Sequence, residues 1–548
     1  MSKLLKTAQG SETIPSDCWE SAFHHLNSAE LKAVALTWKD FLRLVKKSLN
    51  VVNPDVTLFS KQIKRFTHLK RIDLRDFQGD LDEAIREIAR SGLCLENLYL
   101  RGTAFETQSL KELGSNPNIA KNLKVLHCLQ NQRFNDDNDL AVIANSFPNL
   151  EQLQIGHKES FVASSVYSVF STHVLIMGSG NVDHVVNVTE HGIGLLLRNM
   201  PKMERLCIAH IDKSWSAINI ENSIGHTKSL THLAFVDMDV SDNLLMEIGK
   251  LKLKYFSVSR CRNYTVSGLL AVSKYLNVLR IEDANIRDLD VEFLLGRGDL
   301  ANLTCTEIIS NQVTSSTLLL LLMKCSSLVD IKLTAPNFKN GLVNNIPLTI
   351  DELAILVTRV LNHNLRRLDL SRCSVTDRLL LLIGWVCPNL ELLDLSFCSL
   401  VTSRGVEAIF KGCRRLTGLR LRGYMKAKMI EENSEVPETL KVVSLEDSQI
   451  DDEGLDMIRT KCPQLISFNL IGCQNVTLKS IKRMVKNIKT LTQLLFKCEK
   501  VNSGELLEWM LSKGHLASLK EINLPRETLL TDTQKEAFLQ HGCLIRGC

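Results

Sequence analysis

Apolar residues recur along this chain in the pattern Leu-x-x-Leu-x-Leu, or a close apolar variant, seventeen times between Leu69 and Leu524. Consecutive copies lie mostly 23 to 28 residues apart. The clearest copies are Leu95/Leu98/Leu100, Leu365/Leu368/Leu370, Leu390/Leu393/Leu395 and Leu416/Leu419/Leu421. A short strand motif at this period predicts stacked coils, each with one strand and one helix. Because one coil cannot bury its own apolar side, neighbouring coils share a continuous core.

This pattern is typical of an α/β leucine-rich-repeat solenoid, a horseshoe of about 17–18 coils with a parallel concave sheet and helices outside. Strand alternation turns Arg367, Asp369 and Ser371 away from the core, while Leu368 and Leu370 point into it. Each helix is expected to begin at a Thr or Ser beside an acid, because such side chains cap free backbone N–H groups. Examples are Thr376–Asp377, Thr189–Glu190 and Ser241–Asp242.

The concave face of the sheet is the predicted protein-binding surface. On the fifth and sixth strands it is apolar for a solvent-facing sheet, with Cys207, Ala209, Ala234 and Val236, and an apolar patch rimmed by polar residues is typical of a binding surface. The candidate substrate-binding residues are Arg71, Arg75, Tyr99, Arg101, Arg205, His232, Val236, Arg367, Arg420 and Arg422.

Two segments break the repeat. Residues 156–188 contain no clean strand motif, and Thr172/Leu175/Met177 is the one candidate; residues 335–348 are rich in Asn, Gly and Pro. Extra residues in a repeat form loops on one face, so a flap over the concave sheet is one interpretation. A degenerate additional coil and an artefact of the coding-sequence prediction remain alternatives for the first segment, and a tolerated surface loop for the second.

Composition narrows the function. The 548 residues carry a formal net charge of +5 with acids and bases interspersed, which predicts neither a nucleic-acid nor a membrane partner. No signal peptide or membrane-spanning apolar run is present, so an intracellular location, cytoplasm and/or nucleus, is expected. The sixteen cysteines form no Cys-x-x-Cys pair, and half occupy two fixed repeat positions, which predicts packing. We identify no catalytic residue, metal site or cofactor motif and expect a protein that is not an enzyme.

The residues before the repeats have a different pattern. Residues 14–50 begin with Ile-Pro and continue with apolar positions at helical spacing, which predicts two or three short helices. So few residues bury too little surface to be stable alone, and must pack on the first coil or on another chain.

These residues resemble an F-box, whose usual form is Leu-Pro, two leucines and then Val-Cys-Lys-x-Trp. Here Ile14 stands where Leu is usual, Trp38 where Cys is usual and Phe41 where Trp is usual. Followed by a cysteine-containing leucine-rich array, the segment resembles the F-box/leucine-rich-repeat family, and the plant members most closely. The resemblance implies that the F-box binds a Skp-type adaptor, and through it cullin, in a ubiquitin ligase whose substrate binds the concave face. The implied adaptor-binding residues are Ile14, Pro15, Trp19, Phe23, Leu26, Leu31, Leu36 and Phe41.

The expected organisation is a disordered tail at 1–13, the F-box at 14–50, a linker or cap at 51–68, the repeats at 69–530 and a C-terminal cap at 531–548. Two other functions stay open. One is a leucine-rich scaffold without a ligase role, in which residues 14–50 cap the first coil. The other is a hormone receptor, as in the auxin and jasmonate receptors of this family, although the concave arginines are mixed with Asp369 and Asp394.

Overall fold

The computed structural model describes residues 48–51, 55–101, 105–129, 136–156, 174–177, 190–209, 218–236, 238–282, 285–334, 362–497, 501–512, 518–524 and 531–547. The predicted tail, all eight predicted adaptor-binding residues and the predicted loop at 335–348 lie outside these ranges. The chain forms two compact units. The first extends to Leu253 and includes Cys261–Tyr264; the second comprises Lys254–Arg260 and the residues from Thr265 onward.

The described part of the first unit contains eight parallel strands, each hydrogen-bonded to the next. They are β1 (Ser48–Asn50), β2 (Arg71–Leu74), β3 (Asn97–Arg101), β4 (Val125–Leu129), β5 (Gln152–Gly156), β6 (Val174–Met177), β7 (Arg205–Ala209) and β8 (His232–Val236). The helices are α1 (Val56–Arg65), α2 (Leu81–Arg90), α3 (Thr107–Gly114), α4 (Pro117–Asn122), α5 (Asp137–Ser146), α6 (Glu190–Asn199), α7 (Ile218–Ile224) and α8 (Asp242–Ile248).

The described part of the second unit repeats this order with twelve parallel strands. They are β9 (Tyr255–Ser259), β10 (Val278–Glu282), β11 (Cys305–Ile309), β12 (Asp330–Thr334), β13 (Arg367–Asp369), β14 (Leu392–Asp394), β15 (Gly418–Arg420), β16 (Val442–Ser444), β17 (Ser467–Ile471), β18 (Gln493–Lys497), β19 (Glu521–Leu524) and β20 (Leu544–Gly547). The helices are α9 (Val266–Val272), a 3-10 turn (Ser273–Tyr275), α10 (Asp288–Arg297), α11 (Ser315–Lys324), α12 (Asp377–Val386), α13 (Ser403–Gly412), α14 (Asp452–Lys461), α15 (Leu478–Asn487), α16 (Ser503–Ser512) and α17 (Asp532–Gln540).

The core lies between strands and helices, as the alternation predicts. Leu98 and Leu100 in β3 are fully buried, and Leu368 and Leu370 around β13 are each 2% exposed. The predicted helix starts are confirmed where they are described: the Ser241 side chain accepts from the Leu244 N–H and that of Thr376 from the Leu379 N–H. The fold is therefore a leucine-rich-repeat solenoid in which a parallel sheet is covered on one side by helices.

Each of the seventeen predicted copies coincides with a strand, and the structure adds three more. β1 and β20 extend the sheet at both ends beyond the predicted 69–530 boundaries. β6 lies in the predicted insert at 156–188, where an additional coil was one of the interpretations. Its register pairs Ile176 with Ile155 and Ile208, so the predicted Leu175/Met177 motif is one residue out of register.

The cysteines at fixed repeat positions belong to the core. Cys261, Cys325, Cys387, Cys398, Cys413, Cys462 and Cys473 are buried and Cys373 is half-buried. The Cys398 thiol donates to the Leu370 carbonyl oxygen at 3.1 Å, on the preceding coil. Burial raises the pKa of Cys462 to about 12. These thiols therefore behave as small buried hydrophobes with a weak donor.

Aspartates connect the helices of successive coils in the second unit. Asp288, the first residue of α10, accepts from the N–H and hydroxyl of Thr314, the N-cap of α11, at 2.9 and 2.6 Å. Asp377 at the start of α12 binds Thr402, the N-cap of α13, in the same way at 2.9 and 2.5 Å. Each carboxylate thus lies near two positively polarised helix N-termini, its own and its neighbour's, and holds the coils in register.

Candidate protein-binding face

The side of the sheet turned away from the buried leucines is called the open face below. In β3 it is formed by the first, third and fifth side chains, Asn97, Tyr99 and Arg101, and in the other strands by the residues in register with them. In β3 these residues are half-buried, whereas Leu98 and Leu100 between them are fully buried. The open face is where any partner of the sheet must bind, and where the predicted substrate-binding residues lie.

Five side chains of the first unit come together on the open face of β2–β4 and form what we call the Arg71 site: Arg71, Asp73, Arg75, Tyr99 and His127. Asp73, Tyr99 and His127 are register partners across the three strands and so form one row. The Arg71 guanidinium carbon lies 4.3 Å from the centre of the Tyr99 ring, and that of Arg75 lies 5.3 Å from it. Both are within the range of attraction between a cation and an aromatic ring.

Asp73 fixes the position of Arg75. The Arg75 Nε donates to Asp73 Oδ1 at 2.9 Å and its Nη2 donates to Oδ2 at 2.7 Å, a bidentate pair. Burial raises the pKa of the Asp73 carboxyl, but hydrogen bonds from Arg75 outweigh burial and the net pKa is lowered. Asp73 is therefore ionised at neutral pH, and both of its carboxylate oxygens accept hydrogen bonds from Arg75.

His127 forms the floor of the site. Its ring meets the Tyr99 ring edge-on, with centroids 4.6 Å apart and planes at 75°. The residue is only 5% exposed. Burial, with a smaller contribution from Arg75 and Arg71, lowers the pKa of His127 to about 4. His127 is therefore neutral at physiological pH and adds no charge.

The other predicted residues of the first unit lie at further positions of the open face. Arg101, Arg205 and His232 are half-buried, and the Thr231 hydroxyl lies 2.9 Å from His232 Nδ1. Val236 is fully buried, as are Cys207 and Ala234 on the same face. The prediction that Val236 offers exposed apolar surface to a partner is therefore wrong, because that side chain is already removed from water.

In the second unit, the three predicted arginines are exposed but lie beside acids of the same face. Arg367 Nη1 is 3.7 Å from Asp330 Oδ2, and Arg420 Nη1 is 3.7 Å from Asp394 Oδ2. Arg422 Nη2 is closer to carboxylates, 2.9 Å from Asp447 Oδ2 and 3.1 Å from Glu446 Oε1. Each of these three arginines therefore lies within 4 Å of at least one carboxylate.

A row of three charged residues, with a buried carboxylate at its centre, lies on the face of β10–β12. Arg280, Glu307 and Lys332 are register partners across these strands. Arg280 Nε is 3.2 Å from Glu307 Oε2, and Lys332 Nζ is 2.7 Å from Glu307 Oε1. Glu307 is 5% exposed. Such a row fixes neighbouring side chains in place, since removing one partner would leave a buried charge uncompensated.

The candidate residues predicted from sequence leave out two side chains of this face, Asp73 and His127, and one beside it, Phe397. The Phe397 ring lies between two guanidinium carbons, 5.1 Å from that of Arg372 and 5.2 Å from that of Arg422. Strand alternation gives the positions of Asp73 and His127 on the face, but it does not give their burial or their pairing.

Within the described ranges, none of the helices is long and apolar enough to cross a membrane. In this same part of the chain, no group of three or more His, Cys, Asp or Glu side chains is placed to hold a metal ion.

Three segments of the second unit match the family model for the Leucine Rich repeat: residues 361–378, 386–410 and 436–458. Similar solved structures include the TLR13–ssRNA13 complex, at 16% identity and a TM-score of 0.48, covering 91% of this chain and 62% of that chain. The mouse RP105/MD-1 complex matches at 14% identity with a TM-score of 0.44, and the match covers 90% of this chain and 84% of that chain. The yeast Rad7 and Elc1 complex matches at 16% identity with a TM-score of 0.34, and the match covers 80% of this chain and 96% of that chain. The present chain thus spans 62% of the length of the first.

The repeat match and the parallel sheet agree on the kind of module. Leucine-rich repeats stack into extended surfaces that bind other proteins. The chain therefore contains leucine-rich repeats, and their parallel sheet presents the open face.

Proposed function

We propose that this chain is the non-catalytic substrate-recognition subunit of a Skp–cullin–F-box ubiquitin ligase. Residues 14–50 would bind the Skp-type adaptor, and the open face of the repeats would bind a protein substrate. The observation that carries the proposal is the F-box-like run directly before leucine-rich repeats in the sequence. The Arg71 site supports the second half, because aromatic and Arg side chains held in place are typical of the residues that contribute most to binding.

The adaptor half can be tested by co-purification. β1 belongs to the sheet, so a truncation that removes residues 1–47 spares the strand that pairs with β2. We expect the full chain to capture a Skp-type adaptor, and the truncated chain and Trp19→Asp to lose it. Arg71→Gln, on the open face, is the matched control and should retain the adaptor. Adaptor capture by the truncated chain would end the ligase assignment.

A leucine-rich scaffold without a ligase role is the second candidate, and one observation favours it. Ser48–Asn50, at the end of the predicted F-box, forms the first strand and covers the edge of β2. Residues before it could therefore serve as a cap. In that case the adaptor would be absent from every purification, while protein partners would still be captured by the open face.

A further inference from the structure

The Arg71 side chain stacks on Tyr99, but its N–H groups are available to donate hydrogen bonds to a partner. The nearest carboxylate oxygen, Asp73 Oδ2, lies 3.6 Å from Arg71 Nη2, beyond hydrogen-bonding distance. Among the described residues, the Arg71 guanidinium donates no hydrogen bond, and neither does the Tyr99 hydroxyl. The Arg71 side chain is 43% exposed, so its N–H groups are accessible from the open face.

The charges of the Arg71 site do not balance. Two guanidiniums, Arg71 and Arg75, face one carboxylate, and both oxygens of Asp73 are taken by Arg75. His127 is neutral, so these five side chains carry a net charge of +1. Arg422 in the second unit is different, because it already hydrogen-bonds Asp447. The excess charge of these five side chains therefore resides on Arg71.

The geometry suits a planar anion. The guanidinium presents its N–H groups in a fixed fork that matches both oxygens of a carboxylate. Stacking on Tyr99 holds that fork before a partner arrives, which lowers the entropy lost on binding. The Tyr99 hydroxyl can supply a further donor to the same anion.

We propose that the Arg71 site binds a carboxylate side chain, Asp or Glu, in an acidic segment of the protein partner. This inference rests on the proposed function only in taking the open face as the surface that binds protein. A single negative charge neutralises the excess of +1. A dianionic phosphate would leave an excess negative charge beside Asp73, so the site favours a carboxylate over a phosphorylated residue.

Random peptides displayed on phage and selected on the full-length chain test this proposal. Peptides recovered on the wild-type chain should be enriched in Asp and Glu relative to the input library. Arg71→Gln should abolish that enrichment and weaken a recovered acidic peptide by on the order of ten- to a hundredfold, because a charge-assisted hydrogen bond is lost. Tyr99→Phe keeps the ring and should weaken binding of the acidic peptide by on the order of tenfold, because one hydrogen bond to the ionised carboxylate is lost.

Arg86→Gln is the matched control. Arg86 lies on α2, away from the sheet, and pairs with Glu83 at 3.3 Å and Glu112 at 3.4 Å. It should leave the acidic enrichment unchanged. The circular dichroism and thermal unfolding of Arg71→Gln should match the wild type, since the Arg71 side chain is 43% exposed and Gln keeps its aliphatic stem over Tyr99.

Several results would overturn the proposal. Recovery of neutral or basic peptides, no enrichment at all, or acidic enrichment that survives Arg71→Gln would each do so. A synthetic peptide in which phosphoserine replaces the essential Glu should bind more weakly; tighter binding would reject the carboxylate assignment. Failure of the proposed function looks different, because loss of adaptor capture would leave the peptide selection unchanged.

Discussion

Replacing Gly412 by alanine tests whether the close approach of α12 and α13 excludes a side chain. A Cβ at Gly412 would lie 2.2 Å from the carbonyl oxygen of Gly384 and 2.5 Å from its Cα. Both atoms belong to the backbone of α12, so no change of rotamer can relieve the contact. The helices would have to separate by about 1.2 Å before the oxygen reaches the 3.4 Å at which ordinary contact begins.

Two opposing effects set the change in the free energy of unfolding in Gly412→Ala. Alanine normally stabilises a helix relative to glycine by up to about 1 kcal/mol, because glycine loses more backbone entropy. Gly412 is the last residue of α13, so this gain is small here. Forcing a methyl group into a packed interface costs about 1–3 kcal/mol. We expect a net loss of about 2 kcal/mol, equivalent to a roughly 30-fold larger population of the opened state.

Hydrogen exchange measured by mass spectrometry resolves this locally. Amide protection in α12 and α13 should fall about 30-fold in Gly412→Ala while distant coils are unaffected, because each coil contacts only its neighbours. Gly296→Ala is the control: Gly296 also lies near a helix end, in α10, and a Cβ there meets nothing within 4 Å. That variant should be as stable as wild type or more so. Unchanged or increased protection in Gly412→Ala would refute the steric argument.

Other residues give predictions that simpler assays can check. Arg372 has a φ of +62°, which is unfavourable for a residue with a Cβ, so Arg372→Gly should raise the thermal unfolding temperature. Gly472 has a φ of +76°, so Gly472→Ala should lower the unfolding temperature for the same reason. Shifts of the same sign in the two variants would contradict the argument. His127 has a pKa of about 4, below its unfolded value, so stability should fall as pH drops from about 6.5 towards 4. His127→Gln should flatten urea-denaturation midpoints over that window, and a slope equal to wild type would show that other groups cause it. Iodoacetamide should label exposed Cys94 in the native chain but Cys398 only on unfolding, since burial raises the pKa of Cys398; native labelling of Cys398 would count against its burial.

The strands could be predicted from sequence because two periods coincide, the two-residue alternation of a strand and the longer period of the coil. All seventeen predicted copies are strands. The sequence pattern did not predict β1 and β20 because the first motif position of each is not apolar: Lys46 and Gly542 stand where the first leucine is usual. A strand at the end of a solenoid has a neighbour on one side only, so fewer of its residues must be apolar.

The candidate site was predicted only in part. Alternation placed Arg71 and Tyr99 on one face, and the structure brings them into contact. Alternation could not show that the Asp73 carboxylate hydrogen-bonds Arg75, because that pairing depends on side-chain rotamers. It also could not show that Val236 is buried, since alternation gives the direction of a side chain and not what covers it.

The Thr–Asp pairs at helix starts show the same limit. Thr376 caps its own helix, as predicted from the dipeptide. The adjacent Asp377 instead accepts the N–H and hydroxyl of Thr402, 25 residues later. Local sequence identifies a residue suited to a helix N-terminus, but stacking decides which helix it serves.

Stacking also overrides local backbone preference. After several strands of the second unit one residue has positive φ; Gly423 and Gly472 accept this readily, but Arg372 and Phe397 do not. The conformation persists because it continues the ladder: the Arg372 N–H bonds the Ser396 carbonyl oxygen at 2.7 Å. A non-glycine residue there costs about 1–2 kcal/mol. Because glycine would fill the position without that cost, backbone preference does not account for Arg372 or Phe397, whose side chains contact each other beside the open face.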